Sequence, residues 1–284
     1  MAIRPKGRTG RGQAGGGLEE ASGGRPQPQL ERQEETGELL LWGHGELHLA
    51  TAKERLANYG VEVEFSVPKV PYRETIRKVA EGQGKYKKQT GGHGRCLGTS
   101  GSAWSPPPEY SFEWRITGGV IPSKYQEAIE EGILEAAKKG VLAGYPVMGF
   151  KAIVYNGSYH EVDSSDLAFQ IAASMAFKKV MEQAGPVLLE PIYQIKVVAP
   201  QERVGEILSD LQARRGRILG MEQEGALSAV RAEVPLSEVL EYYKALPSLT
   251  GGAGAYTLEF SHYAEVPPHL AQRIVQERKA AEGQ

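Results

Sequence analysis

The stretch Pro191–Pro267, PIYQIKVVAPQERVGEILSDLQARRGRILGMEQEGALSAVRAEVPLSEVLEYYKALPSLTGGAGAYTLEFSHYAEVP, decides the fold. PIYQIKVVAP alternates apolar and polar residues, the period of a strand with one covered face. QERVGEILSDLQARRG has the spacing of an amphipathic helix, closed by Gly216. RILGMEQEGALSAVRAEVP reads as two strands around Glu224-Gly225. LSEVLEYYKALPSLTGG reads as a second helix and AYTLEFSHYAEVP as a final strand. The order β-α-β-β-α-β is the split βαβ arrangement. A further helix, PHLAQRIVQERKA, follows it.

Upstream, two helices dominate. In PSKYQEAIEEGILEAAKKG, residues Tyr125, Ala128, Ile129, Gly132, Ile133, Ala136 and Ala137 share one face. Ser123 with Gln126 reads as a capping box after Pro122, and Gly140 as the stop. In VDSSDLAFQIAASMAFKKVMEQAG, a capped helix beginning near Ser164, the expected buried face is Leu167, Ala168, Ile171, Ala172, Met175 and Ala176. YSFEW reads as a strand before the first helix. YPVMGFKAIVYNGSYHEVD, between the helices, reads as a strand with a polar tip over Asn156–Glu161. Nearer the N-terminus, GELLLWG is a strand, GELHLATAKERLANYG a helix ending at Gly60, and VEVEFSV an alternating strand. VPKVPYRETI is expected to be a connector punctuated by Pro, and residues 10–30 a low-complexity linker.

The bulk numbers set limits. The 284 residues are 40% hydrophobic and 24% charged, enough for two or three small domains with real cores. No apolar run approaches the roughly 18 residues that cross a bilayer, and MAIRPKGRTG has no apolar signal core, so a cytoplasmic protein is expected. A single Cys excludes a disulfide framework and a multi-Cys zinc site. A net charge of −2 argues against coating nucleic acid wholesale; RNA contact would come from local basic loops.

Four motifs bear on chemistry. Gly84-Lys85 ends like a phosphate loop, but Tyr86 stands where Ser or Thr binds magnesium and Val79 where the first Gly belongs, so no GTP or ATP site is expected. His44, Glu46 and His48 alternate as metal ligands on a strand would; they open a helix, where such positions face apart, so a helix-opening turn is the better reading. KYKKQTGGHGR interleaves Lys85, Lys87, Lys88, His93 and Arg95 with glycines; alone it reads equally as a phosphate-binding loop or a solvated basic turn. NGSYHEVD puts Tyr159 and His160 on an exposed tip, where ring and imidazole can meet unpaired bases; alone it reads more simply as a surface turn. No nucleophile lies near His160, so catalysis is not expected there.

Taken together, GHGELHL, VPYRETI, GKYKKQTGGHG, GGVIPSKYQEAIEEG, LAGYPVMGFKAIVYNGSYHEVDSSDLAFQIAASMAFKKV, PVLLEPIYQIKVVAP, DLQARRGRILGMEQEG and AEVPLSEVLEYYKALPSLTGGAGAYTLEFSHY resemble the C-terminal half of elongation factor G, in family order. MAIRPKGRT resembles the first strand of that family's third domain. The resemblance implies a third-domain-like part over residues 1–75, a fourth-domain-like part over 76–187 and a fifth-domain-like part over 188–284. It implies an α+β chain, with ferredoxin-like βαββαβ domains flanking a central α+β domain with a βαβ-type crossover. The GTPase and second domains, which bind GTP and magnesium in the full-length family, are not matched. No catalytic, cofactor or metal residue is therefore expected.

In the family, fourth-domain tip loops reach the decoding centre of the small ribosomal subunit and keep tRNA and mRNA from slipping back. The fifth domain lies near the sarcin–ricin loop of the large subunit. The resemblance carries ribosome and RNA contact onto Lys87, Lys88, Gln89, Gly91, Gly92, His93 and Gly94, and onto Ser158, Tyr159, His160 and Glu161. The implied partners are ribosomal RNA, tRNA and mRNA; a monomer is expected and no membrane. The competing readings are a ribosomal protection factor of the tetracycline-resistance type and a small-ligand-binding ferredoxin-like regulator.

Two windows depart from the family pattern. Where it has an alternating strand, this chain has GTSGSAWSP over Gly98–Pro106. One codon choice for those residues, regrouped from its third base, reads DVWLRLEP, a strand with a period of two. TCN codons at Ser100 and Ser102 place T in the middle of the shifted codon, which always encodes an apolar residue. For residues 12–29 one codon choice, regrouped from its second base, reads ARLGEALRKLLEEDPSLS, an amphipathic helix. We read residues 12–29 and 96–107 as out of frame, with compensating insertions and deletions, genuine insertions being the alternative. Cys96 then carries no role.

Overall fold

The computed structural model describes residues 2–5, 29–33, 38–42, 63–84, 110–158 and 165–282, together with Thr51, Lys53, Glu54 and Ala57. The chain divides into two compact units, one of residues 1–71 with 191–262 and one of residues 72–190 with 263–284.

The first unit holds two sheets. One is built from β1 (Ala2–Pro5), β2 (Gln29–Gln33), β3 (Glu38–Trp42) and β4 (Val63–Ser66), in the order β2-β3-β1-β4 with antiparallel pairings. β3 falls on the apolar run GELLLWG and β4 on the alternation of VEVEFSV, as predicted. β2 begins inside the stretch expected to be linker; its QLERQ carries one apolar residue, too few to show a period. Thr51, Lys53, Glu54 and Ala57 are helical, as the GELHLATAKERLANYG pattern predicts. Glu38 is buried on β3, and its carboxylate accepts the Lys69 backbone N–H at 2.8 Å.

The other sheet is the one the opening stretch predicts. Its strands are β8 (Pro186–Pro200, of which 191–200 belong to this unit), β9 (Arg217–Glu224), β10 (Leu227–Pro235) and β11 (Ala255–Glu265, of which 255–262 belong here). The spatial order β11-β8-β10-β9 interleaves the two β-α-β halves, the ferredoxin-like arrangement. Helices α3 (Val204–Ala213) and α4 (Tyr242–Thr250) lie between the strands in sequence. Inward residues Ile195, Val197, Val230, Ala232 and Val234 meet Ile207, Leu211, Tyr242 and Leu246 of the helices. Each of the larger aliphatic side chains contributes about 1.5–3 kcal/mol of burial. The Gly216 N–H closes α3 on the Leu211 carbonyl at 2.8 Å, but the left-handed residue is Arg215, at φ 60°. The expected second helix is broken: a single turn over Leu236–Val239 precedes α4, which carries Pro247.

In the second unit, VPKVPYRETI is not all connector. Its last four residues form β5 (Arg73–Ile76), antiparallel to Pro186–Leu189 of β8. The prolines mask this, although Glu74 and Ile76 alternate with Arg73 and Thr75 as strand residues do. β6 (Ser111–Trp114) and β7 (Lys151–Val154) pair in parallel, joined through α1 (Gln126–Lys139), a βαβ crossover. The predicted face of α1 is buried. The capping box is not formed: Ser123–Tyr125 make a 3-10 turn, and neither it nor α1 receives a side-chain cap bond.

Helix α2 (Asp166–Gln183) corrects the expected face. Leu167 is 64% and Met175 46% exposed, while Phe169, Ala173, Phe177 and Val180 are buried with Ala168, Ala172 and Ala176. Apolar residues lie on nearly every side of α2, so spacing alone does not set its phase. The aromatic rings do: Phe169 stacks on Tyr125 at 4.5 Å between ring centres, and Phe177 meets Phe150 at 5.1 Å. Helix α5 (Pro268–Glu282) ends the unit, with the Arg278 guanidinium 5.5 Å from the Tyr145 ring centre.

Candidate nucleic-acid interface

Of the predicted contact residues, Ser158 is described and half-buried. Lys87, Lys88, Gln89, Gly91, Gly92, His93, Gly94, Tyr159, His160 and Glu161 lie outside the described residues, as do Cys96 and the windows 12–28 and 96–107. The segments leading to the predicted loops are described, and their geometry is informative.

β7 delivers the chain to Tyr155, Asn156, Gly157 and Ser158. The Gly157 N–H donates to Asn156 Oδ1 at 2.8 Å. On the far side of the tip, Ser165 caps α2: its Oγ accepts the Ala168 N–H at 3.2 Å, and Asp166 sits in the first turn, where the helix dipole favours an anion. The cap thus falls one residue after the expected Ser164.

The basic loop is approached along α2. A Cβ on Gly82 would stand 2.6 Å from Val180 Cγ2, and one on Gly84 would stand 2.6 Å from the Ala176 nitrogen and overlap the Ala172 carbonyl oxygen. Only glycine allows so close a backbone approach. From Gly82 to Gly84 the chain therefore advances toward the N-terminal end of α2, where the other loop returns. The Tyr155 hydroxyl donates to Glu81 Oε2 at 2.8 Å, so the roots of both predicted loops meet.

On the β6–β7 ladder, Glu113 faces Arg115 Nε at 2.5 Å and Lys151 Nζ at 2.7 Å. The Arg115 hydrogen bond, then that of Lys151, holds the Glu113 carboxyl below its ordinary range.

Sequence reasoning missed Glu74. It is fully buried on β5, and its carboxylate accepts four backbone N–H groups: Val141 at 2.7 Å, Leu142 and Ala143 at 2.8 Å, and Tyr145 at 3.0 Å. Its own N–H donates to the Pro146 carbonyl at 2.9 Å, and its carbonyl accepts from Met148 N at 2.9 Å. Gly140 makes the turn possible, at φ 66° and with a would-be Cβ 2.8 Å from Glu74 Oε1. The available signal was a Glu on the same strand parity as Ile76, opposite a glycine-bounded loop.

Among the described residues no group of three His, Cys, Asp or Glu could hold a metal, and no helix is long and apolar enough to cross a membrane.

Comparison with known proteins covers residues 1–185 and 187–274. Residues 1–67 match the family model for elongation factor G domain III, residues 68–185 that for domain IV, and residues 187–274 that for the elongation factor G C-terminus. Elongation factor G of Aquifex pyrophilus is 48% identical over 250 residues, covering 87% of this chain and 36% of that protein. The elongation factor G-like protein of Thermotoga maritima is 45% identical over 283 residues, covering 98% of this chain and 41% of its own length. A crystal structure of a Thermus thermophilus protein superposes with TM-score 0.83 at 79% identity, covering 98% of this chain and 42% of that one. The chain thus spans about two fifths of the proteins it matches. It belongs to the elongation factor G family and carries, in order, that family's domain III, domain IV and C-terminal regions.

Proposed function

We propose that this chain is the ribosome-binding portion of a translation elongation factor that promotes movement of tRNA and mRNA, with GTP hydrolysis carried out by domains it does not include. One observation carries the reading: three consecutive family matches coincide with a fold in which the segments leading to both predicted tip loops meet, Tyr155 bonding Glu81. The boundaries 1–75, 76–187 and 188–284 are retained as its working domains. Lys87–Gly94 and Ser158–Glu161 are its contacts to the decoding centre, and the fifth-domain-like part sits near the sarcin–ricin loop. The protein acts in the cytoplasm as a monomer. Out-of-frame reading of residues 12–29 and 96–107 belongs to the same proposal and is checked by sequencing the gene across both windows.

The test is co-sedimentation with purified ribosomes over a salt series. Binding at low salt that weakens steeply as salt rises is expected, because phosphate contacts release counterions. Absence of binding at low salt would contradict the reading. The chain alone is expected to bind no labelled GTP at micromolar concentration, since no phosphate loop is present.

A further inference from the structure

We propose that the loop Val141–Tyr145 is a carboxylate receptor whose resident ligand is the protein's own Glu74 side chain, and that the loop, once emptied, takes a free small carboxylate. The proposal concerns the second unit alone and does not depend on the ribosome-binding reading.

Four backbone N–H groups converge on one buried carboxylate, two on each oxygen. Val141 and Leu142 donate to Oε2 at 2.7 and 2.8 Å; Ala143 and Tyr145 donate to Oε1 at 2.8 and 3.0 Å. The donors lie within five consecutive residues, the concave arrangement of near-successive N–H groups that binds anions. Two donors on each oxygen match a planar carboxylate, which has two equivalent acceptor oxygens. Among the described residues no Lys or Arg side chain pairs with Glu74, so peptide dipoles alone do the recognising. The neighbouring helix does not help: the loop follows the C-terminal end of α1, the end that disfavours an anion.

The loop also has supports that do not pass through the Glu74 side chain. The Gly140 and Val147 N–H groups both donate to the Ala137 carbonyl, at 3.2 and 2.8 Å, tying both ends of the loop to the last turn of α1. Gly140 and Gly144 turn the chain at φ 66° and 75°. The Tyr145 ring meets Tyr72 edge-on at 5.4 Å between centres and lies 5.5 Å from the Arg278 guanidinium. Residue 74 is likewise placed by its own backbone, which bonds to Pro146 and Met148. Donors held in this way are preorganised, and a preorganised site costs little to refill. Glu74 thus fastens β5, close to where the domain IV match opens at residue 68, by ligand binding in addition to its ladder with β8.

The test is chemical rescue in the full chain. Glu74→Ala keeps the Cβ and removes a methylene and a carboxylate, which acetate replaces atom for atom. Thermal unfolding is followed in acetate, formate and propionate against acetamide and chloride, at neutral pH and constant ionic strength. Glu74→Ala is expected to melt roughly 5–10 °C below the wild type in chloride. Acetate at about 0.5 M is expected to recover roughly half of that loss by binding the folded state alone. Formate is expected to recover less, and propionate, one methylene too large, almost nothing. Acetamide has the shape of acetate but turns an NH2 group toward donors, so it is expected to have no effect. The wild type, already filled, is expected to respond to none of them. Amide exchange at Val141, Leu142, Ala143 and Tyr145 is expected to quicken roughly 100-fold in Glu74→Ala and to slow again in acetate. Glu74→Gln fills the site with one acceptor oxygen. It is expected to ignore acetate and to keep one donor pair protected, Val141 with Leu142 or Ala143 with Tyr145, while the other exchanges faster. Rescue of Glu74→Ala by acetate no greater than by acetamide or chloride would overturn the receptor, whether or not that variant folds in chloride. Equal, undiminished protection of all four amides in Glu74→Gln would overturn it as well.

Discussion

Two buried side chains carry separate expectations. Glu74 satisfies four backbone N–H groups of the loop that follows α1. Glu74→Gln replaces one acceptor oxygen with an NH2 group pointed at donors. It is expected to cost about 2–4 kcal/mol, read as a lower urea midpoint; a change under about 0.5 kcal/mol would refute the clasp. Tyr242 is the opposite case. Its hydroxyl is buried without a hydrogen-bond partner among the described residues, its ring lying 5.1 Å from the Arg214 guanidinium. Removing an unsatisfied hydroxyl removes a desolvation cost, so Tyr242→Phe is expected to be neutral or to stabilise by about 1 kcal/mol. Burial, then the nearby Asp210 charge, pushes the Tyr242 phenol up to about 12 from 10.0, and burial also raises Tyr256. A raised value means the folded state holds its proton longer. That stabilising contribution is complete below pH 10.0 and is lost as pH rises toward about 12. Denaturant midpoints measured across this window are expected to fall, and to fall less in Tyr242→Phe.

At the scale of elements, the segment 82–84 on α2 is the sharpest case. Gly84→Ala would drive a methyl into the Ala172 carbonyl, and overpacking of this kind costs about 1–3 kcal/mol. A lower melting temperature is expected, with greater protease sensitivity around residues 79–84; an unchanged melting temperature would show that the segment can lift off the helix. Most elements are legible in the sequence because their periods are clean. α1, β4, β8, β10 and β11 follow from alternation or a single apolar stripe, and β3 from a short apolar run. The failures have physical causes. α2 is apolar all round, so its phase is set by where Phe169 and Phe177 find aromatic partners. β5 hides behind two prolines, and β2 has too few apolar residues to show a period. The Tyr155–Glu81 hydrogen bond and the Glu74 clasp join residues 67 to 74 positions apart, a separation no local pattern reports.

For the whole molecule, the family, the α+β class and the domain order are readable from motifs, because they run in family order along nearly the entire chain. The site is an expectation carried by the resemblance onto two loops outside the described residues, and no local pattern reports the hydrogen bond between Tyr155 and Glu81 beside them. The tip is flanked by β7 and the Tyr155–Glu81 hydrogen bond on one side and by the capped start of α2 on the other. Broad phosphate contacts elsewhere are expected to supply most ribosome affinity, and a contact made during movement lowers the barrier rather than the bound-state energy. The most direct measurement is the single-round translocation rate for His160→Ala, in this chain joined to the family's GTPase and second domains with both windows restored to frame. Near-normal ribosome affinity with a clearly slower rate is the predicted result; an unchanged rate would contradict the account.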